Sequence, residues 1–88
     1  MKLAGLFDEP EVRLVIEQSQ IKAQDRIRKL TYRQRQVLKL MVEGQPNKII
    51  AYELGIAQRS VENHRAEIMR RTEVKSFAAL VKLYVLAG

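Results

Sequence analysis

Residues 47–71 read Asn47-Lys48-Ile49-Ile50-Ala51-Tyr52-Glu53-Leu54-Gly55-Ile56-Ala57-Gln58-Arg59-Ser60-Val61-Glu62-Asn63-His64-Arg65-Ala66-Glu67-Ile68-Met69-Arg70-Arg71. Three positions decide how this stretch folds. Ala51 is small where a first helix would be crossed closely, Gly55 supplies a left-handed turn, and Val61 anchors a second helix. They fall four and then six residues apart, with Ile56 beneath the turn. That spacing is the pattern of two short helices joined by a tight elbow.

The second of these helices separates two faces. On a 3.6-residue period, Val61, His64, Ile68 and Thr72 share one side, while Arg59, Glu62, Asn63, Ala66 and Arg70 share the other. The outer side offers guanidinium, carboxylate and amide groups beside an alanine that permits close approach. Asn pairs with adenine, Glu accepts from the cytosine amino group, and Ala touches a thymine methyl. Arg59, Glu62, Asn63 and Ala66 are therefore the base-reading candidates. Phosphate-seating candidates are Asn47 and Lys48 at the opening of the preceding helix, Gln58 and Ser60 at the opening of this one, and His64, Arg65, Arg70 and Arg71 along it. Arg65 points nearer the core than the groove and suits a salt bridge or a phosphate better than a base. A plain solvated helix face is the competing reading of all these side chains.

Working outward, three more helical segments are expected, giving five and no strand. Pro10 opens the first, since its fixed φ suits a first turn. Its apolar positions, Val12, Val15/Ile16, Ser19, Ala23, Ile27 and Leu30, form a thin stripe, the mark of a connector or arm. Thr31 and Gln34 have the spacing of a capping box, Val37, Leu38, Leu40 and Met41 face inward, and Gly44 stops that helix. Asn47 is the expected cap of Lys48 to Leu54. Ser76 caps the last helix, which continues to Leu86. There, Phe77, Leu80, Val81 and Tyr84 share one face and should be core. Ala79, Leu83 and Leu86 make a second stripe, which suits a homodimer interface or a packing site for the N-terminal helix.

Length and composition bound the rest. The 88 residues make one small domain with room for a helical bundle and little for a deep cavity. Residues 1–25 carry three bases against five acids, net −2; residues 26–88 carry thirteen against five, net +8. A field so divided attracts a polyanion to the C-terminal two-thirds. No cysteine is present, which excludes disulfides and thiolate metal sites and fits a reducing cytoplasm. No signal peptide is visible, and the apolar run Ala78 to Leu86 is short and interrupted by Lys82, so a soluble protein without membrane contact is expected. His64 is the only histidine, with no partner ligands at metal-binding spacing. Neither an enzyme nor a cofactor-binding protein is expected, because clustered carboxylates and a glycine-rich phosphate loop are also absent. Aromatic stacking positions for single-stranded RNA are lacking.

From Leu30 to Leu86 the chain resembles the LuxR/FixJ-type (GerE-like) helix-turn-helix regulators. The resemblance is carried by Leu30-Thr31-Tyr32-Arg33-Gln34-Arg35-Gln36-Val37-Leu38, Glu43-Gly44-Gln45-Pro46-Asn47-Lys48-Ile49-Ile50-Ala51, Leu54-Gly55-Ile56, Ser60 to Arg71, Val74-Lys75-Ser76 and Leu80-Val81. It implies a four-helix domain at 27–88, with its helix-turn-helix at about 47–71. The implied function is sequence-specific binding of double-stranded DNA, with the helix at Gln58–Arg71 in the major groove and dimerisation through the last helix. It also implies transcriptional regulation, with RNA polymerase as a further partner. The alternative is a helical protein-interaction or polymerase-docking module with incidental DNA affinity.

The chain departs from the family pattern at several points. Tyr32 and Gln34 stand where Pro and Glu are usual. Ala57 replaces a Ser or Thr cap, so the recognition helix is expected to be weakly capped. Thr72-Glu73 replaces an apolar-plus-Gly or Asn ending, where fraying is expected. Glu62 and Ala66 stand where lysine is common in some members, which suggests the sub-branch nearer FixJ. The segment Leu6-Phe7-Asp8-Glu9-Pro10 with the following helix is similar to the end of a response-regulator receiver domain and its linker. On that reading residues 1–26 are a receiver-derived linker helix and the chain is the output part of a two-component response regulator. Asp8 and Asp25 are the only aspartates, and neither has the setting of a phosphoacceptor.

Overall fold

Proline and a missing donor open the first element, a 19-residue helix, α1 (Pro10–Arg28), in a computed structural model that describes residues 9–88. Four further helices follow: α2 (Tyr32–Val42), α3 (Asn47–Leu54), α4 (Gln58–Thr72) and α5 (Phe77–Ala87). Among the described residues there is no strand. The chain is thus all-α, a four-helix domain preceded by an N-terminal helix. Of the receiver-like stretch, Leu6 to Asp8 lie outside the described residues.

The helix boundaries follow from local chemistry. At the start of α2 the capping box is complete: Gln34 N–H donates to Thr31 Oγ1 at 3.1 Å, and Thr31 N–H donates to Gln34 Oε1 at 3.0 Å. This satisfies two otherwise orphaned donors and lets Gln34 be buried without an unmet polar atom. At its end, Gly44 takes φ +85°, and the N–H groups of Gly44 and Gln45 return to the carbonyls of Met41 and Leu40. Asn47 does not cap α3. Pro46 holds the extended cap position and Asn47 lies in the first turn, because the proline's fixed φ ends the turn one residue earlier than expected. Ser76 caps α5 by accepting from Ala79 N–H at 3.0 Å.

The core is built from Leu30 in the turn after α1 and from Val37, Leu38, Met41, Ile50, Ala51, Val61, Ile68 and Leu80 of the four following helices, with Ile27 of α1 packed against it. One apolar expectation for α5 changes, and one of two open uses of its second stripe is realised. Phe77 is 46% exposed, since it begins the helix at the rim of the domain, whereas Leu83 is only 7% exposed. Leu83 is covered because α1 lies along α5, its most extensive helix contact. Ala23 and Leu83 are both buried there, and Ser19, Ala23, Leu83 and Leu86 line one shallow cleft between the helices. The thin Ser19–Ala23 stripe therefore permits close approach of two helices. Of the two uses expected for the Ala79, Leu83 and Leu86 stripe, packing of the N-terminal helix is the one realised in this single chain.

The end of α4 is also settled locally. The helix is regular through Thr72, which is fully buried and donates its hydroxyl to Ile68 O at 2.6 Å; it is not frayed. Glu73 then adopts φ +58°, the left-handed region that costs an L-residue with a Cβ roughly 1–2 kcal/mol. Glu73→Gly is expected to stabilise the domain by about 0.5–1 kcal/mol, part of the relief being offset by the freer unfolded chain. Thermal unfolding should report a rise of about 4–8 °C per kcal/mol for a domain of this size. An unchanged or lower midpoint would show that the strain is relieved some other way.

Candidate nucleic-acid interface

The elbow between α3 and α4 is made by backbone. Gly55 has φ +66°, its N–H donates to Tyr52 O, and Ile56 N–H donates to Ala51 O at 3.0 Å. A Cβ at Gly55 would meet nothing within 4 Å, so the requirement for glycine is conformational and not one of space. Ala51 is buried beside this turn, and Val61 fixes the first turn of α4 in the core. Arg33 of α2 donates to Leu54 O at 3.3 Å, tying the second helix to the end of the third. The Ala51–Gly55–Val61 spacing thus forms the rigid elbow that the sequence indicates.

From that elbow α4 presents two faces. Val61, Ile68 and Thr72 have no exposed surface, while Arg59, Glu62, Asn63, Ala66 and Arg70 are all exposed. Gln58 and Lys48 are exposed as well; Ser60, His64, Arg65, Asn47 and Arg71 are half-buried. Asn47 and Arg65 line one cleft with Gln45, Pro46 and Phe77, so the start of α3 and the middle of α4 share a wall. Among the described residues no group of His, Asp and Glu side chains could hold a metal ion.

The N-terminal cap of α4 is bare, as the sequence indicates. Ala57 occupies the extended cap position, and no side chain accepts from the first turn. Ala57→Ser should add that acceptor and raise stability by about 1 kcal/mol. Chemical denaturation should show a higher midpoint at an unchanged slope; a midpoint equal to the parent's would mean that the serine hydroxyl does not reach the open N–H groups.

The C-terminal end of α4 carries a cluster that single-residue reading missed. Glu67 accepts both Nε–H and Nη2–H of Arg70, at 3.1 and 2.8 Å, and Nε–H of Arg71 at 3.2 Å. Arg71 in turn donates from Nη1 to Lys29 O at 3.1 Å, so the end of α4 is tied to the end of α1. The hydrogen bonds from Arg70, with help from Arg71 and against some desolvation, bring the Glu67 carboxyl from 4.5 to about 2. Arg70 is held above its ordinary value by the same pairing. A lowered folded-state pKa lends stability that is complete above the ordinary value near 4.5 and lost as pH falls through about 2. The i,i+3 and i,i+4 spacing of Glu67 to Arg70 and Arg71 was the available signal.

The fold agrees with the comparisons. Residues 28–84 match the model of the family described as "Bacterial regulatory proteins, luxR family". The chain belongs to the LuxR family of bacterial regulatory proteins. This LuxR-family chain is 48% identical over 63 residues to the transcriptional regulatory protein FixJ of Azorhizobium caulinodans, covering 72% of itself and 30% of that protein. Its fold matches the response regulator StyR with a TM-score of 0.76 at 41% identity, covering 83% of this chain and 37% of StyR. Full-length FixJ from B. japonicum matches with a TM-score of 0.73 at 35% identity, covering 93% of this chain and 39% of that one. The chain spans about a third of the length of these relatives. It is a LuxR-type helix-turn-helix regulator domain of the response-regulator kind, and none of its described helices is long and apolar enough to cross a membrane.

Proposed function

We propose that this domain binds double-stranded DNA in a sequence-specific manner, with α4 in the major groove, and so regulates transcription in the cytoplasm as the output module of a two-component response regulator. The reading rests on one observation: a rigid helix, anchored by Val61 and Ile68, exposes Arg59, Glu62, Asn63 and Ala66 together. Asn63, Glu62 and Ala66 supply base-edge contacts, and Arg59 reaches either a guanine or the backbone. Asn47, Lys48, Gln58, Ser60, His64, Arg65, Arg70 and Arg71 flank them as backbone contacts. Asn47 and Arg65 are the best placed of these to share one phosphate, because they line the same cleft.

The domain acts on DNA as a homodimer on half-sites about one helical turn apart. A second copy that uses Ala79, Leu83 and Leu86 must displace α1 or slide beside it, since Leu83 is covered. Exposed Tyr32 and Tyr52, at 77% and 85%, together with a cleft lined by Tyr32, Gln36 and Leu40, favour a further contact with a protein such as RNA polymerase. Catalysis has no part in this reading.

A gel-shift titration against random genomic fragments and against duplexes selected from a random pool tests it. Retarded bands that weaken steeply with salt are expected, because each neutralised phosphate contributes a slope of about 0.9 in log K against log salt. No retarded band at moderate salt would favour the protein-interaction alternative.

A further inference from the structure

The Glu67 cluster stands out within a domain whose C-terminal two-thirds is strongly basic. A single carboxylate spans two guanidiniums at the end of the DNA-facing helix, one of them 68% exposed. Without Glu67, two mobile cations would stand there. With it, both are held in fixed geometry, and the local charge is halved.

We infer that Glu67 is a positioning residue for DNA discrimination: by holding Arg70 and Arg71 it limits their contact with the backbone of any duplex and leaves binding more dependent on the base-reading side chains. This inference rests on the proposed docking of α4 in duplex DNA. Phosphate contacts add affinity without sequence information, so a helix with two unrestrained arginines would bind bulk DNA more tightly and distinguish its target less. An exposed ion pair is weak. The clamp therefore does not forbid these arginines a phosphate; it makes each such contact compete with Glu67. Arg71 is the more firmly held of the two, because Lys29 O takes a further N–H.

The test compares the parent domain with Glu67→Gln, which keeps the side-chain shape and removes the charge, and with Glu73→Gln. The latter makes the same change in net charge nearby but frees no guanidinium. Affinity is measured against salt on a random-sequence duplex and on a selected site. Glu67→Gln is expected to steepen the salt slope on random duplex by about 0.9 for each phosphate gained, on the order of eightfold tighter binding per contact at 0.1 M salt. The selected site should gain less, so the ratio of specific to non-specific affinity falls, while Glu73→Gln leaves both slopes near the parent's. A Glu67→Gln slope equal to the parent's overturns the inference alone, as does an equal effect of Glu73→Gln. Failure of the parent to retard any duplex would remove the DNA reading and this inference with it. A readout independent of DNA is the Glu67 carboxyl titration by NMR: a midpoint near 2 supports the clamp, and one near 4.5 overturns it.

Discussion

Truncating Ile68 to alanine is expected to destabilise the domain by about 2–5 kcal/mol, among the largest effects of any single substitution in this molecule, while leaving the outward face of α4 chemically intact. Ile68 is fully buried and sits in the cluster with Val37, Leu38, Ile50 and Leu80. Its removal leaves a cavity at the point where α4 is held to the rest of the domain. A domain of this length has only about 5–15 kcal/mol of stability in total, so the loss should be visible as a much lower denaturation midpoint. Ala66→Gly or Asn63→Ala on the opposite face removes no core contact. Asn63→Ala should stay within about 0.5 kcal/mol of the parent, whereas the glycine costs roughly 1 kcal/mol through helix propensity alone. Equal destabilisation by Ile68→Ala and Asn63→Ala would contradict the division of α4 into a buried and a free side.

The second large effect concerns recognition. Asn63→Ala is expected to cost about 1–3 kcal/mol of binding free energy on a selected duplex, roughly five- to 150-fold in affinity, concentrated at one base pair. The carboxamide is exposed on a helix whose backbone is fixed by the core, so a bidentate contact with an adenine requires little ordering beyond its own χ angles. Arg59→Ala, if Arg59 serves the backbone, should weaken all sequences alike and reduce the salt slope by about one phosphate. Measuring Kd on a panel of single-base-pair variants separates the two behaviours. Uniform weakening by Asn63→Ala across the panel would remove it from the base-reading set.

Much of this was legible in the residues because the decisive features are local. The Thr31–Gln34 box, the stops at Gly44 and Gly55, the bare cap at Ala57 and the inward Val61–Ile68–Thr72 face each depend on side chains a few positions apart, where helix geometry leaves little choice. The features that sequence reading left open or misplaced depend on distant partners or on one-residue shifts. Whether Ala79, Leu83 and Leu86 face a second copy or α1 turns on how closely two helices approach, and Ala23, about sixty positions away, decides that by being small. Phe77 reads as core by periodicity, yet at the first turn of α5 it lines an open cleft with Pro46, Asn47 and Arg65 and stays 46% exposed. Pro46 took the cap position expected of Asn47, and its carbonyl accepts the N–H groups of Ile49 and Ile50 with no side-chain cap bond. Thr72 holds the end of α4 although it is polar, because its hydroxyl turns back onto Ile68 O.

The division of α4 into a buried and an exposed side was legible to the same depth. Exposure of Arg59, Glu62, Asn63 and Ala66 follows from the same periodicity that buries Val61 and Ile68. What periodicity does not give is how charged neighbours divide among themselves. Arg70 and Arg71 read as two backbone-seating cations, but Glu67 lies between them on the helix surface and engages both, and Arg71 also reaches across to the end of α1.

The most direct measurement is an NMR titration of the isotopically labelled domain with a selected duplex, following backbone amides and the Asn63 side-chain NH₂. The shifts should cluster on Lys48, on Gln58 to Ala66 and on the Asn63 carboxamide, with the Asn63 signals changing again when its paired adenine is replaced. Perturbations confined to α5 or to the Tyr32 region, with α4 unmoved, would contradict the claim that α4 is the surface that meets DNA.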